Sequence, residues 1–143
     1  MFVSLLGSLN FFSKYMDSIS NMLIMIKNAS LAGKETVAFP YSKMKLAIAE
    51  CLKKEGYIGD VSKKVKKDQP VIEAVLLYTD KKPRITEVER VSKQSRRVYM
   101  GMSDIHTVKG GSGLLVLSTP KGILSGKNAR KEQVGGEALF KIW

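Results

Sequence analysis

Leu114-Leu115-Val116-Leu117-Ser118-Thr119-Pro120-Lys121-Gly122-Ile123-Leu124 is an apolar run, a polar break and a second apolar run. A short apolar run bounded by turn residues is the pattern of a buried strand. Ser, Thr, Pro and Gly are residues that close tight turns. The stretch therefore predicts two strands joined by a tight loop. A short cationic segment, 127–131, follows, then Val134-Gly135-Gly136-Glu137 and a closing strand to Trp143. The loop carries two hydroxyls, a lysine and a glycine. It is small enough to enter a shallow groove, and its donors and acceptors suit the 2′-hydroxyls and base edges in the wide minor groove of an RNA helix.

Upstream, Arg96-Arg97-Val98-Tyr99-Met100 opens the same C-terminal unit. One helical turn over 103–108, with Ser103 as cap, and a flexible Gly110-Gly111-Ser112-Gly113 connection lead to the final strands. Residues 92–95 read as a linker. Before it, a strand over 71–78, a turn at Asp80-Lys81-Lys82-Pro83 and a returning arm over 85–91 predict a hairpin. A strand over 58–64 and a charged turn over 63–68 precede that. Asp17 or Ser18 caps a first helix whose apolar face is Ile19, Met22, Leu23 and Ile26, with Gly33 as its stop. A short strand over 35–39 ends at Pro40. Ser42 caps a second helix, with Met44, Ala47, Ile48, Cys51 and Leu52 on its apolar face and Gly56 at its end. The expected fold is α+β in two small subdomains. Residues 16–91 pack two helices on a sheet, and 96–143 form a mainly antiparallel sheet with short helical pieces.

The composition suits a folded chain. Of 143 residues, 44% are hydrophobic and 26% charged, which is normal for a globular protein. Cys51 is the only cysteine, so no internal disulfide is expected. The net charge of +11 points to a polyanion partner, unless the lysines serve solubility alone. Residues 1–60 carry seven cations and five anions, and residues 61–143 carry seventeen and eight. The polyanion should therefore meet mainly the second half. Residues 1–15 are apolar but too short to span a bilayer. They lack a basic n-region, a cleavage site and the arginines of a transit peptide. They read as an extension that is weakly structured or belongs to a misassigned start, with Met16 as the natural beginning, in preference to a targeting signal.

Catalysis and metal binding find little material. His106 is the only histidine, with no second ligand of its type, and Cys51 lies on an apolar helix face. No catalytic residue, cofactor, metal or small-molecule substrate is expected, and no membrane. Met22, Met44, Met100 and Met102 read as packing residues. The Ser118–Gly122 loop lacks the order of a nucleotide-binding P-loop. A nucleotide-using enzyme remains a rival, separable by stoichiometric ATP or GTP binding. A general basic binder of RNA or anionic membrane is another, separable by its indifference to RNA sequence and its salt sensitivity.

These motifs resemble bacterial-type small-subunit ribosomal protein eight, of the universal family. The resemblance rests on Gly113, Val116-Leu117, Ser118-Thr119, Gly122, Ile123-Leu124, Ala129-Arg130, Val134-Gly135-Gly136-Glu137 and Trp143. Upstream it rests on Met16 to Leu23, Ile26-Lys27-Asn28-Ala29, Pro40-Tyr41-Ser42-Lys43, Glu55-Gly56-Tyr57-Ile58, Val91-Ser92-Lys93 and Arg96 to Tyr99. Several spaced motifs in order, from Met16 to Trp143, are more specific than any one.

The resemblance implies that Ser118, Thr119, Lys121 and Gly122 dock on a helix in the central domain of small-subunit ribosomal RNA. It implies that Glu137 helps hold or contact that site, for instance by accepting hydrogen bonds from the loop hydroxyls. For Lys27, Asn28, Ser42 and Lys43 it implies a second RNA contact; otherwise Ser42 is only a cap and the lysines are solvated. Arg96, Arg97 and Tyr99 suit phosphate contact with stacking, or else form a surface strand with Tyr99 half buried. The implied role is non-enzymatic. Each copy acts singly in the ribosome of a bacterial cytoplasm rather than of an organelle, beside neighbouring small-subunit proteins, and some members repress their own messenger. Two positions depart from the family pattern. Pro120 replaces a frequent third hydroxyl, and Gln94 replaces a frequent proline.

Overall fold

Ile19, Met22, Leu23, Ile26 and Ala29 recur at three- and four-residue spacing. In the computed structural model, which describes residues 18–93 and 95–143, they form the buried face of helix α1 (Ser18–Leu31). The expected Met16 start, Asp17 cap and extension 1–15, and Gln94 in the linker, lie outside the described residues. Gly33, at φ +75°, turns the chain while Lys34 N–H donates back to the Ala29 carbonyl at 3.0 Å. That geometry caps a helix end with little cost only at glycine.

Strand β1 (Thr36–Pro40) buries Val37 and Phe39. Helix α2 (Lys43–Lys54) starts at Ser42, whose Oγ accepts from Lys45 N–H at 3.1 Å, and stops before Gly56 at φ +83°. Met44 does not join its apolar face. It is exposed, and Ala49 packs inward with Ile48, Cys51 and Leu52.

Strands β2 (Ile58–Lys66) and β3 (Gln69–Leu76) form a hairpin longer than expected. Only Lys67 and Asp68 turn, both at positive φ, the backbone sense that matches strand twist in a two-residue hairpin. Lys63, Lys64 and Lys66 stay in the strand, and Lys64 and Lys66 pair with Glu73 across it at 2.9 and 3.3 Å. The three strands order β1-β3-β2, all antiparallel.

Residues 85–91 do not return along β3. A minimal hairpin of β4 (Tyr78–Thr79) and β5 (Lys82–Pro83) ends after two pairs, because Pro83 brings no N–H to extend the ladder. Ile85 then enters the core, and Thr86 and Glu87 N–H both donate to the Trp143 carbonyl. Strand β6 (Val88–Arg90) consequently pairs with the last strand of the chain, Val88 opposite Ile142 and Arg90 opposite Phe140.

That second sheet contains β7 (Tyr99–Met100), β8 (Leu114–Thr119), β9 (Gly122–Ser125) and β10 (Gly136–Ile142), in the order β6-β10-β8-β9, with β7 on the other end of β10. Ser103 is not a cap. A 3₁₀ turn, Met102–Asp104, begins after Gly101, whose N–H donates to the Asp104 carboxylate. The chain then extends so that Ile105 and Val108 can be buried. The cationic segment 127–131 lies in helix α3 (Gly126–Lys131), capped by Ser125.

β8 is buried on both faces. Leu114 and Val116 join Phe39, Ile48, Leu52 and Ile72 in the main core, while Leu115 and Leu117 pack with Ile105, Val108 and Ala129 in a smaller one. The period-two alternation of a strand assigns these residues to opposite faces. The fold is α+β, with a helical N-terminal half and an antiparallel C-terminal sheet.

Candidate nucleic-acid interface

The β8–β9 connection is tighter than its sequence suggested. Ser118 and Thr119 remain in β8, Thr119 pairs with Gly122, and only Pro120 and Lys121 turn. Gly122 takes φ +107°, a conformation that a β-carbon would strain. Thr119 Oγ1 donates to the Gly122 carbonyl at 2.8 Å and accepts from Lys121 N–H at 3.2 Å. Its hydroxyl therefore shapes the turn. Ser118 is half-buried, and its hydroxyl forms no hydrogen bond among the described residues. Lys121 projects beside Glu132, 3.2 Å away, with both side chains about half exposed. A pair so exposed is weakly held.

The reason for Gly135-Gly136 is steric. A β-carbon on Gly136 would lie 2.1 Å from the Ser118 carbonyl oxygen, and one on Gly135 would lie 2.3 Å from that of Met100. The paired glycines let β8 and β7 close onto the start of β10. In sequence they were visible only as part of the resemblance, since the atoms they admit belong to strands distant along the chain.

Glu137 does not bind the loop hydroxyls. Its carboxylate accepts from Ser92 Oγ at 2.5 Å and from Arg97 Nη1 at 3.0 Å. Ser92, wholly buried, also accepts from Val98 N–H at 3.1 Å. Burial of Glu137 raises its pKa, but the hydrogen bonds from Ser92 and Arg97, with the charges of Arg97 and Arg90, outweigh it and hold the carboxyl below its ordinary value. Glu137 is thus an anchor that fastens Ser92 and Arg97 to β10. Ser92, which does half of this work, carried no signal beyond its place in a motif.

The same registers make one face. Tyr99 stands opposite Glu137, Glu137 opposite Ser118 and Ser118 opposite Ile123. Directly opposed residues share a face of the sheet, about 5 Å apart per step. Tyr99 is not half buried but 71% exposed. An aromatic ring, a guanidinium and a serine hydroxyl thus border one row, with the Pro120-Lys121 turn at its edge. Arg96 is exposed in a turn in which it and Lys93 exchange backbone hydrogen bonds at 2.9 and 3.0 Å.

Lys27, Asn28, Ser42 and Lys43 lie in the other half of the molecule, and no hydrogen bond or ion pair joins them to the loop among the described residues. Lys27 Nζ is held by Glu87 at 2.6 Å. Ser42 is the α2 cap, and Asn28 and Lys43 are exposed. Cys51 is buried, which with the nearby Glu55 carboxylate pushes its thiol up to about 11. Met22 packs in the main core and Met100 against the smaller one, whereas Met102, like Met44, is exposed.

Comparison with known proteins adds a sequence relationship to this geometry. The family model described as Ribosomal protein S8 matches residues 17–143. The chain is 47% identical over 128 residues to small ribosomal subunit protein uS8 of Roseiflexus castenholzii, covering 89% of this chain and 97% of that one. It is 49% identical over 127 residues to the protein of that name from Oleidesulfovibrio alaskensis, covering 89% and 98%. With the protein of that name from Ruegeria sp. the identity is 44% over 128 residues, at 89% and 98% coverage.

Proposed function

The chain belongs to the ribosomal protein S8 family, and from that premise we propose that it is a structural, non-enzymatic constituent of the small ribosomal subunit. It binds a helix in the central domain of the small-subunit ribosomal RNA and supports assembly beside neighbouring proteins, one copy per particle. The observation that carries this reading is the Ser118 row. A serine hydroxyl with no hydrogen-bond partner among the described residues sits at the edge of a rigid turn, on the same sheet face as exposed Tyr99 and beside Arg97. Ser118 supplies a donor and acceptor to sugar or base edges, Tyr99 a stacking surface, and Arg96, Arg97 and Lys121 charge for phosphates. Gly122 and the Gly135-Gly136 pair keep the backbone low enough for approach. Lys43 and Asn28, exposed on the helices, form a second contact, with Ser42 holding the start of α2. A messenger presenting the same helix would occupy the same row, which gives a route to repression of the protein's own translation.

Titration of the full chain against the isolated central-domain helix and a scrambled helix of equal length tests the reading. Tight binding to the first alone, surviving physiological salt, is expected. Equal, salt-labile binding to both would reduce the protein to a general RNA coat.

A further inference from the structure

Where the two halves meet, at the end of β8 away from the loop, a cleft of about 590 Å³ opens. Its floor is apolar, built by Ile105, Leu114 and Leu115. Its rim is cationic. Arg84 reaches it from the segment after β5, and Lys127 and Arg130 from α3. Among the described residues Glu55 is the one carboxylate in its lining, and that carboxylate is already engaged, accepting from Ser125 Oγ at 3.0 Å and Asn128 Nδ2 at 3.3 Å. The Arg84 guanidinium lies 3.9 Å from the centre of the Tyr57 ring, and Tyr57 OH donates to the Ser112 carbonyl at 3.0 Å.

We propose that this cleft is a docking groove for an extended, acidic segment of a neighbouring protein in the small subunit. The claim rests on the ribosomal reading above and adds a surface and a partner chemistry to it. The floor selects a peptide, and the rim sets the sign of its charge. An apolar floor is filled by aliphatic side chains, whereas a phosphate backbone laid on it would lose hydration without compensation. A guanidinium held over a ring has lost part of its freedom before binding and suits bidentate pairing with a carboxylate. The hydrogen bonds from Ser125 and Asn128 to Glu55, and from Tyr57 to Ser112, tie the walls together before binding, so little ordering is required on association. The groove is separate from the RNA row. β8 has six residues, and at about 3.3 Å per residue its ends lie about 17 Å apart.

The test uses photo-cross-linking of the full chain in assembled small subunits. Thr107→p-benzoylphenylalanine places the reactive group on the cleft rim, at an exposed residue. Pro120→p-benzoylphenylalanine places it on the turn. The Thr107 probe should cross-link to protein, in a peptide rich in Asp and Glu. Adding Arg84→Gln and Arg130→Gln should cut that yield by about tenfold, the loss typical of charge-assisted hydrogen bonds, and leave the Pro120 cross-link to RNA unchanged. A Thr107 cross-link to RNA, to a segment without acidic residues, or to nothing would overturn the groove. Absence of an RNA cross-link from Pro120 would instead count against the RNA row. If the Thr107 variant fails to enter subunits, the neighbouring exposed His106 carries the probe, with the same outcomes.

Discussion

Ser118 and Thr119 look equivalent in sequence and differ in the fold. Thr119 spends its hydroxyl on the turn, whereas Ser118 has no partner among the described residues. Ser118→Ala should therefore leave the melting temperature nearly unchanged and weaken the cognate helix by about 1–3 kcal/mol. Thr119→Ala should lower both stability and affinity. Thermal melts and filter-binding titrations of the two variants separate these outcomes, and equal effects at both positions would sink the assignment. Gly136→Ala meets the Ser118 carbonyl, so β8 or β10 must shift, at a cost of about 1–3 kcal/mol seen in urea unfolding. Glu137 makes a prediction about acid. Its carboxyl is held below its ordinary value, so the folded chain binds fewer protons than the unfolded one as pH falls. Its contribution is complete above the unfolded value and is lost as pH drops through the lower folded value. Glu137→Gln should be less stable at neutral pH and lose less on acidification. Glu73 and Glu87 are lowered too, by Lys64 with Lys66 and by Lys27. They remain in the variant, so the difference between the two pH–melting curves isolates Glu137.

Among the elements, those governed by local chemistry were the legible ones. Ser42, Gly33 and Gly56 announce helix ends, and a helix end is decided within one turn of chain. β6 was misplaced because its partner, β10, lies about fifty residues downstream, and nothing in 85–91 distinguishes pairing with β10 from pairing with β3. The bulge in β10 was also invisible. The register shifts between Ala138 and Phe140, and the Leu139 carbonyl accepts from Val91 N–H at 3.1 Å and Arg90 Nη1 at 2.7 Å. The extra residue turns a backbone acceptor outward to dock the connecting segment. Helix α3 depends on Ser125 twice over. Its buried Oγ accepts from Asn128 N–H at 3.2 Å and donates to Glu55. Ser125→Ala removes a cap and leaves a half-buried carboxylate short of a donor, so about 1–3 kcal/mol should be lost. The urea midpoint should fall with the slope unchanged, and an unaltered midpoint would refute the coupling.

At the scale of the whole molecule, the main core ignores the linker. Leu114, Val116, Leu139, Phe140 and Ile142 from the second sheet pack in one cluster with the helices and sheet of the first half. The chain should unfold as one unit. The fluorescence of Trp143, the only tryptophan and in the second half, and far-UV dichroism, dominated by α1 and α2 in the first, should give coincident urea midpoints. Phe140→Ala should shift both together by about 3–5 kcal/mol, whereas separated transitions would show two independent halves. By itself the sequence determined the two long helices, the tight turn, the cationic balance and the family resemblance, because caps, periodicity and composition act through neighbours along the chain. The tertiary structure alone decided that Glu137 binds Ser92 and Arg97, that β6 joins the second sheet, that Tyr99 shares a face with Ser118, and that an apolar, cation-rimmed cleft lies at the seam. Each of these joins residues tens of positions apart, and their meeting is fixed by how the strands of the sheet register and how the core closes.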